Sequence, residues 1–181
     1  MKRTKTIFVA LCAILLSISV TAQNYDLGDM NANAGMAAFS SFTGDTKLPP
    51  AMVSFEFGTG YNIATGVFGG ISTSQENINL SNGKSYSWDH QNLFFGVRAM
   101  YYAYSSADIN FYLGSLTGYN SVTSEFSSDD IDERNVNSSD AGGIFYSAFA
   151  GGRYFFSDPW GVYAEAGIGK INFQLGITAK F

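Results

Sequence analysis

The chain has 181 residues, enough for a single domain with a sizeable core. Only 14% of the residues are charged, 20 are glycine and 16% are aromatic, a balance that excludes a disordered or collagen-like chain. The single cysteine excludes a disulfide scaffold, and a formal charge of −5 supplies no basic face for nucleic acid.

Residues 1–22 have the pattern of a secretory signal peptide. Lys2, Arg3 and Lys5 are positive, residues 7–18 are apolar except for Ser17, and Val20 and Ala22 are small. The run is too short to span a bilayer, and cleavage is expected after Ala22. Leu11 precedes Cys12 and apolar residues follow it, which is not the pattern of a lipid-modified cysteine. Residues 23–181 then form one mature domain. Losing three basic residues takes the formal charge from −5 to −8.

The mature chain alternates with a period of two. Residues 33–42 give the faintest signal. Val53, Phe55 and Phe57 alternate with Ser54, Glu56 and Gly58. Residues 63–71 and 111–119 are diluted by Gly, Thr and Ser. Between them, Leu93, Phe95, Val97, Ala99 and Tyr101 alternate with Phe94, Gly96, Arg98 and Met100. Residues 144–156 keep Arg153 on the polar side, and Trp160, Val162, Ala164, Ala166 and Ile168 alternate with Gly161, Tyr163, Glu165 and Gly167. The last strand alternates Ile171, Phe173, Leu175, Ile177, Ala179 and Phe181 with polar residues or glycine. The pattern predicts eight strands of roughly 9–13 residues. Short connections are expected at 59–60, 103–109, 157–159 and 169–170, and long polar ones at 43–50, 73–88 and 120–142. All three prolines fall in connections.

Alternation alone does not say which face is wet. Glu56, Arg98, Arg153 and Glu165 mix opposite charges on the non-apolar face, which suits a packed polar interior. Tyr101, Tyr102, Tyr104, Tyr154, Phe155, Phe156, Trp160 and Phe181 cluster near the short turns. Tyr86, Trp88, Tyr119 and Tyr146 lie towards the other end, as in two membrane girdles. In hydrocarbon every backbone polar group must be paired, so a spanning sheet closes. The expected fold is all-β: a closed antiparallel up-and-down transmembrane β-barrel of eight strands, with short periplasmic turns and longer extracellular loops. Side chains fill an interior of that size. Glu56, Arg98, Arg153 and Glu165 are therefore expected to form a structural lumen network, with Arg153 diagonally near Glu165.

The segment Gln174-Leu175-Gly176-Ile177-Thr178-Ala179-Lys180-Phe181 resembles the terminal signal of small outer-membrane barrels of Gram-negative bacteria, of the OmpA/OmpX type. The resemblance covers about residues 31–181. It implies that Gln174, Gly176, Ala179 and Phe181 are read by the barrel-assembly machinery. It also implies a monomer in the cell outer membrane, in contact with lipid and lipopolysaccharide. Ala179 departs from the pattern, which usually has a larger group there.

Little chemistry stands out. His90, in Ser85-Tyr86-Ser87-Trp88-Asp89-His90, invites a hydrolase reading, but adjacent strand residues face opposite sides, so it is expected to be a solvated histidine at a loop–strand junction. Glu125, Asp129, Asp130, Asp132, Glu133 and Asp140 could attract Ca²⁺, but the spacing is not that of an EF-hand, and the expectation is a solvated external loop. The Gly-Gly pairs 69–70, 142–143 and 151–152 have no strand-to-helix context for a phosphate loop. No catalytic, metal-ligating or cofactor-binding residue is expected. The leading functional reading is a non-enzymatic barrel with a side-chain-filled lumen, acting in envelope structure or surface interaction through its extracellular loops. The alternatives are a small pore or transporter for small or hydrophobic solutes, a rim lipid-modifying enzyme, and a secreted soluble ligand-binding barrel.

Overall fold

The computed structural model describes residues 25–42, 45–79, 85–127 and 142–181. Eight strands follow one another: β1 Met30–Ser40, β2 Asp45–Gly60, β3 Ile63–Asn79, β4 Ser85–Ser105, β5 Ile109–Ser127, β6 Gly143–Phe155, β7 Trp160–Gly169 and β8 Ile171–Lys180. Each pairs antiparallel with its neighbours in sequence, and β1 pairs with β8 to close the barrel. The faint signal of residues 33–42 thus belongs to a strand as far as Ser40, and β1 begins earlier, at Met30. The expected signal peptide lies outside the described residues.

The alternation assigns the faces. On β2, Val53, Phe55 and Phe57 point out while Ser54, Glu56 and Gly58 point in and are buried. Val53, Val97, Val162 and Ile177 remain 46–54% exposed on the outside, although they are aliphatic. A soluble barrel would bury this face, so the outer surface is built for hydrocarbon. Inside, Phe68, Phe94, Met100, Leu116, Phe145 and Phe149 form an apolar cluster, with Phe94 and Phe145 meeting edge to face at 6.4 Å.

Three expectations need correction. First, β2, β3, β4 and β5 are longer, and the connections between them shorter, than the hydropathy implied, whereas β1, β6, β7 and β8 keep the expected 9–13 residues. Residues 45–50, 73–79, 85–88 and 120–127 belong to β2, β3, β4 and β5 rather than to loops. The β3–β4 ladder runs without a break from Ile63↔Tyr101 to Asn79↔Ser85. Above the apolar belt both faces meet polar surroundings, so the pairing continues where the hydropathy contrast has ended. Second, Tyr102 and Phe155 are not girdle residues. They share the inward parity of Met100 and Arg153 and are 1% and 5% exposed. Trp88 is also buried, whereas Tyr101, Tyr154, Phe156, Trp160 and Phe181 do stand outside. Third, the strict alternation of β8 fails at its start. Ile171 joins the interior cluster because the β1–β8 register shifts beside it and Gly169 turns the chain with φ +124°. Ala179 keeps the outward face, directly opposite Trp160, but is buried.

The β2–β3 turn also differs from the expected 59–60. It falls on Tyr61 and Asn62, with φ 56° and 61°, the handedness that a two-residue hairpin demands. Asn tolerates that conformation well. Here the Asn62 side chain also accepts a hydrogen bond from the Tyr25 amide at 2.9 Å.

Candidate functional site

The densest chemistry lies in the lower lumen. Strand parity turns Glu56 (β2), Arg98 (β4), Arg153 (β6) and Glu165 (β7) inward, and all four are at most 4% exposed. Gly66 stands between Glu56 and Arg98 in the cross-strand row, and Gly151 stands opposite Glu165. A side chain at Gly151 would collide with the Tyr112 ring and with Glu165 itself, so this glycine leaves the space the network occupies.

The four charges form a chain rather than two isolated pairs. Arg153 Nη2 lies 2.5 Å from Glu56 Oε2, Arg98 Nη2 lies 2.6 Å from Glu165 Oε1, and Arg98 Nε lies 3.4 Å from Glu56 Oε1. The expected diagonal neighbours Arg153 and Glu165 do not form an ion pair. The register puts Tyr163 directly opposite Arg153, and the guanidinium reaches across the lumen to β2 instead. Glu165 is satisfied from elsewhere: Tyr112 donates to Oε1 at 2.8 Å and Gln174 donates to Oε2 at 2.7 Å. Asn33 donates to Glu56 at 2.8 Å, Tyr102 donates to it at 3.3 Å, and Arg153 donates to the Tyr102 hydroxyl. The Arg98 guanidinium lies over Phe149 at 4.9 Å and that of Arg153 over Tyr112 at 4.6 Å. Opposite charges with hydrogen-bonded lone pairs offset the desolvation that would otherwise make a buried ion costly.

Below the network, Tyr25 closes the short-turn end. Its ring stacks on Tyr102 with centroids 4.0 Å apart and planes 2° from parallel. Its hydroxyl accepts a hydrogen bond from Asn31 at 2.6 Å. Burial pushes the Tyr25 hydroxyl up to about 12, so it stays protonated and adds no charge.

The residues read as a terminal signal have structural contacts of their own. Gln174 is buried and serves Glu165. Gly176 faces Gly35 across the β1–β8 seam, and a side chain at either would meet Tyr163. Phe181 is exposed, and its backbone exchanges hydrogen bonds with Met30 at 2.9 and 3.3 Å. Tyr102, Tyr112, Asn33 and Gln174 were missed as network members. Inward parity was the available signal: Tyr102 is four residues from Arg98, Tyr112 pairs with Tyr102, Gln174 pairs with Glu165, and Asn33 pairs with Ser54, two residues before Glu56.

His90 is not a solvated junction residue. It lies within β4, points inward and is 1% exposed. Its Nδ1 is 2.8 Å from Ser124 Oγ on β5, and its Nε2 is 3.6 Å from Glu76 Oε2 on β3. A serine, a histidine and a carboxylate thus meet across three strands. The imidazole side chain has no exposed surface, and the set packs at the top of the lumen. Glu125 lies on β5 opposite Asp89, while Asp129, Asp130, Asp132, Glu133 and Asp140 fall outside the described residues. Among the described residues no group of three or more His, Cys, Asp and Glu side chains could hold a metal.

The sequence matches no protein-family profile and no curated protein. Solved structures do resemble the fold. The outer membrane protein OprG from Pseudomonas aeruginosa is 13% identical, with 88% of this chain and 99% of that one covered at a TM-score of 0.59. The N-terminal β-barrel domain of Pseudomonas aeruginosa OprF is 12% identical, with 86% and 98% covered at a TM-score of 0.51. At such identities the likeness concerns architecture: this chain is a closed eight-stranded antiparallel barrel like those outer-membrane proteins.

Proposed function

We propose that this chain is an integral outer-membrane barrel with a sealed lumen, exported by a cleaved signal peptide and acting in the envelope through its extracellular side. The observation that carries this reading is the inversion of its faces. Aliphatic residues coat the outside, and four buried charges with their hydrogen-bond partners fill the inside. A conducting pore needs a wet lumen, whereas Arg98, Arg153, Tyr102 and Tyr112 are each at most 2% exposed. Gln174, Gly176, Ala179 and Phe181 would present the last strand to the assembly machinery, and the mature protein would work as a monomer among lipid and lipopolysaccharide. The polar ends of β2–β5 would meet surface partners.

Two measurements test the reading together. Folded and boiled samples in detergent are expected to migrate differently on gels, and the folded protein is expected to give no steady current across a planar bilayer. Extraction into plain buffer as a folded monomer would sink the membrane reading. Stable, charge-selective currents would replace the sealed barrel with a pore.

A further inference from the structure

His90 is the only histidine of the chain, and its two ring nitrogens have different surroundings. Nδ1 lies 2.8 Å from Ser124 Oγ, whereas the buried Nε2 has no hydrogen-bond partner among the described residues. Glu76 Oε2 faces Nε2 at 3.6 Å. A direct hydrogen bond from imidazole to carboxylate would hold these atoms about 2.7–3.2 Å apart. A bridging water, with two bonds of about 2.8 Å, would hold them roughly 4.6 Å apart. Two bonds of about 2.1 Å to one tetrahedral cation put their outer ends roughly 3.4 Å apart. The observed separation is nearest to the last.

A third donor stands beside them. Ser74 is directly opposite His90 in the β3–β4 ladder and two residues before Glu76, on the same inward face. It is 1% exposed, and its Oγ also has no hydrogen-bond partner among the described residues. The Glu76 side chain is 27% exposed, so a small ion can reach the set past the carboxylate.

We propose that His90 Nε2, Glu76 Oε2 and Ser74 Oγ bind one divalent transition cation of the Zn²⁺ kind, with water completing the shell. Only two of these ligands are of the His, Cys, Asp and Glu types, and the serine hydroxyl is the third. The imidazole nitrogen selects against Ca²⁺ and Mg²⁺, which take oxygen ligands. Ser124 is a positioning residue. When Nδ1–H donates to its Oγ, the ring is held in place and the Nε2 lone pair is left for the cation. The bound ion clips β3 to β4 in the part of the wall above the apolar belt. The site does not rest on the membrane residence proposed above.

The test uses the untagged mature chain, freed of metal by chelation and folded in detergent micelles. Zn²⁺ binding is followed by calorimetry, and Cu²⁺ is used as a probe for pulsed electron paramagnetic resonance. The wild type is expected to take one Zn²⁺, and its Cu²⁺ form to show the signature of a single imidazole, which can only be His90. His90→Gln should lose both. Ser124→Ala should bind Zn²⁺ about tenfold more weakly and keep the imidazole signature, as the loss of a group behind a ligand does. Glu76→Gln should weaken binding by more than that, and its partly exposed position keeps the test open if His90→Gln loses the heat-dependent gel shift of the folded barrel. A wild type that binds no Zn²⁺ overturns the proposal. So does binding by His90→Gln or Glu76→Gln that equals wild type, or displacement of Zn²⁺ by an equal concentration of Ca²⁺, which would place the ion on oxygen ligands alone. None of these outcomes bears on the wild-type gel shift or conductance that test the sealed barrel, so the two readings can fail separately.

Discussion

The barrel has two walls of unequal height. β4 and β5 have 21 and 19 residues, whereas β7 and β8 have 10 each. At about 3.3 Å per residue and a tilt near 45°, β4 rises roughly 49 Å and β7 roughly 23 Å. The short wall is little more than an apolar belt of about 25 Å. The tall wall continues beyond it into a polar ribbon. One backbone geometry runs through both, but the solvent changes along it. Within the belt the outer face is aliphatic and the inner face ionic. Above the belt Ser72, Ser74, His90, Asn92 and Asn120 still point inward and are buried, while Lys47, Asp89, Gln91 and Glu125 stand on the outer side. The comparison separates what hydrocarbon demands of a strand from what backbone pairing alone can sustain.

If the comparison holds, damage in the belt should destabilise the whole barrel and damage in the ribbon should stay local. The largest effect is expected from Glu56→Gln. It leaves the Arg153 guanidinium without its carboxylate partner and Arg98 with only Glu165. Breaking a buried pair costs about 3–5 kcal/mol, which should appear as a large drop in the urea midpoint of the folded protein in micelles. A wild-type midpoint would mean that the charges are not desolvated.

A pair of mutant cycles sharpens the pairing within the belt. Arg98→Met with Glu165→Gln should show a coupling of about 1–3 kcal/mol, as groups in direct contact do. Arg153→Met with Glu165→Gln should couple less, because no ion pair joins them. Equal couplings would contradict the assignment of Arg98 to Glu165.

Deletion of Phe181 tests the seam between the first and last strands. It removes the two backbone hydrogen bonds with Met30, a net loss of about 1–3 kcal/mol. The amount of barrel reaching the outer membrane should fall by more than this modest destabilisation would cause. Normal surface levels of the truncated chain would remove Phe181 from the assembly signal.

In the ribbon the effects should be small. Ser124→Ala takes away the partner of His90 Nδ1 at a local cost of about 1 kcal/mol. Faster amide exchange confined to the upper parts of β4 and β5, with an unchanged global midpoint, is the expected result. A global shift would instead couple the ribbon to the barrel. Lys47→Ala breaks the 2.7 Å contact with Asp89, whose members are about half exposed at 50% and 43%. Its effect should stay within about 0.5 kcal/mol by chemical denaturation.

Much of the belt was legible in the sequence. Val53-Ser54-Phe55-Glu56-Phe57 already declares two faces, and its counterparts on β4, β7 and the middle of β8 do the same. The four charged lumen residues were visible because a charge amid alternating apolar residues has few places to go. Their partners were not. Tyr102 looked like a girdle residue beside Tyr101 until its parity was taken strictly, and Gln174 looked like part of a terminal motif until β8 was set beside β7. The ribbon was hidden because residues 73–79 and 120–127 are polar on both faces, and hydropathy has no contrast to report there.

The sequence by itself determined which residues of the belt share a face, because side chains on a strand alternate whatever the strand pairs with. It also determined that the sheet must close, because an apolar exterior in hydrocarbon tolerates no unpaired edge. Only the tertiary structure decided that Arg153 reaches Glu56 rather than Glu165 and that two walls differ in height. Each depends on register between strands that are distant in the chain. Register is set by the closure of the whole barrel, through its shear and bulges, and not by any one segment.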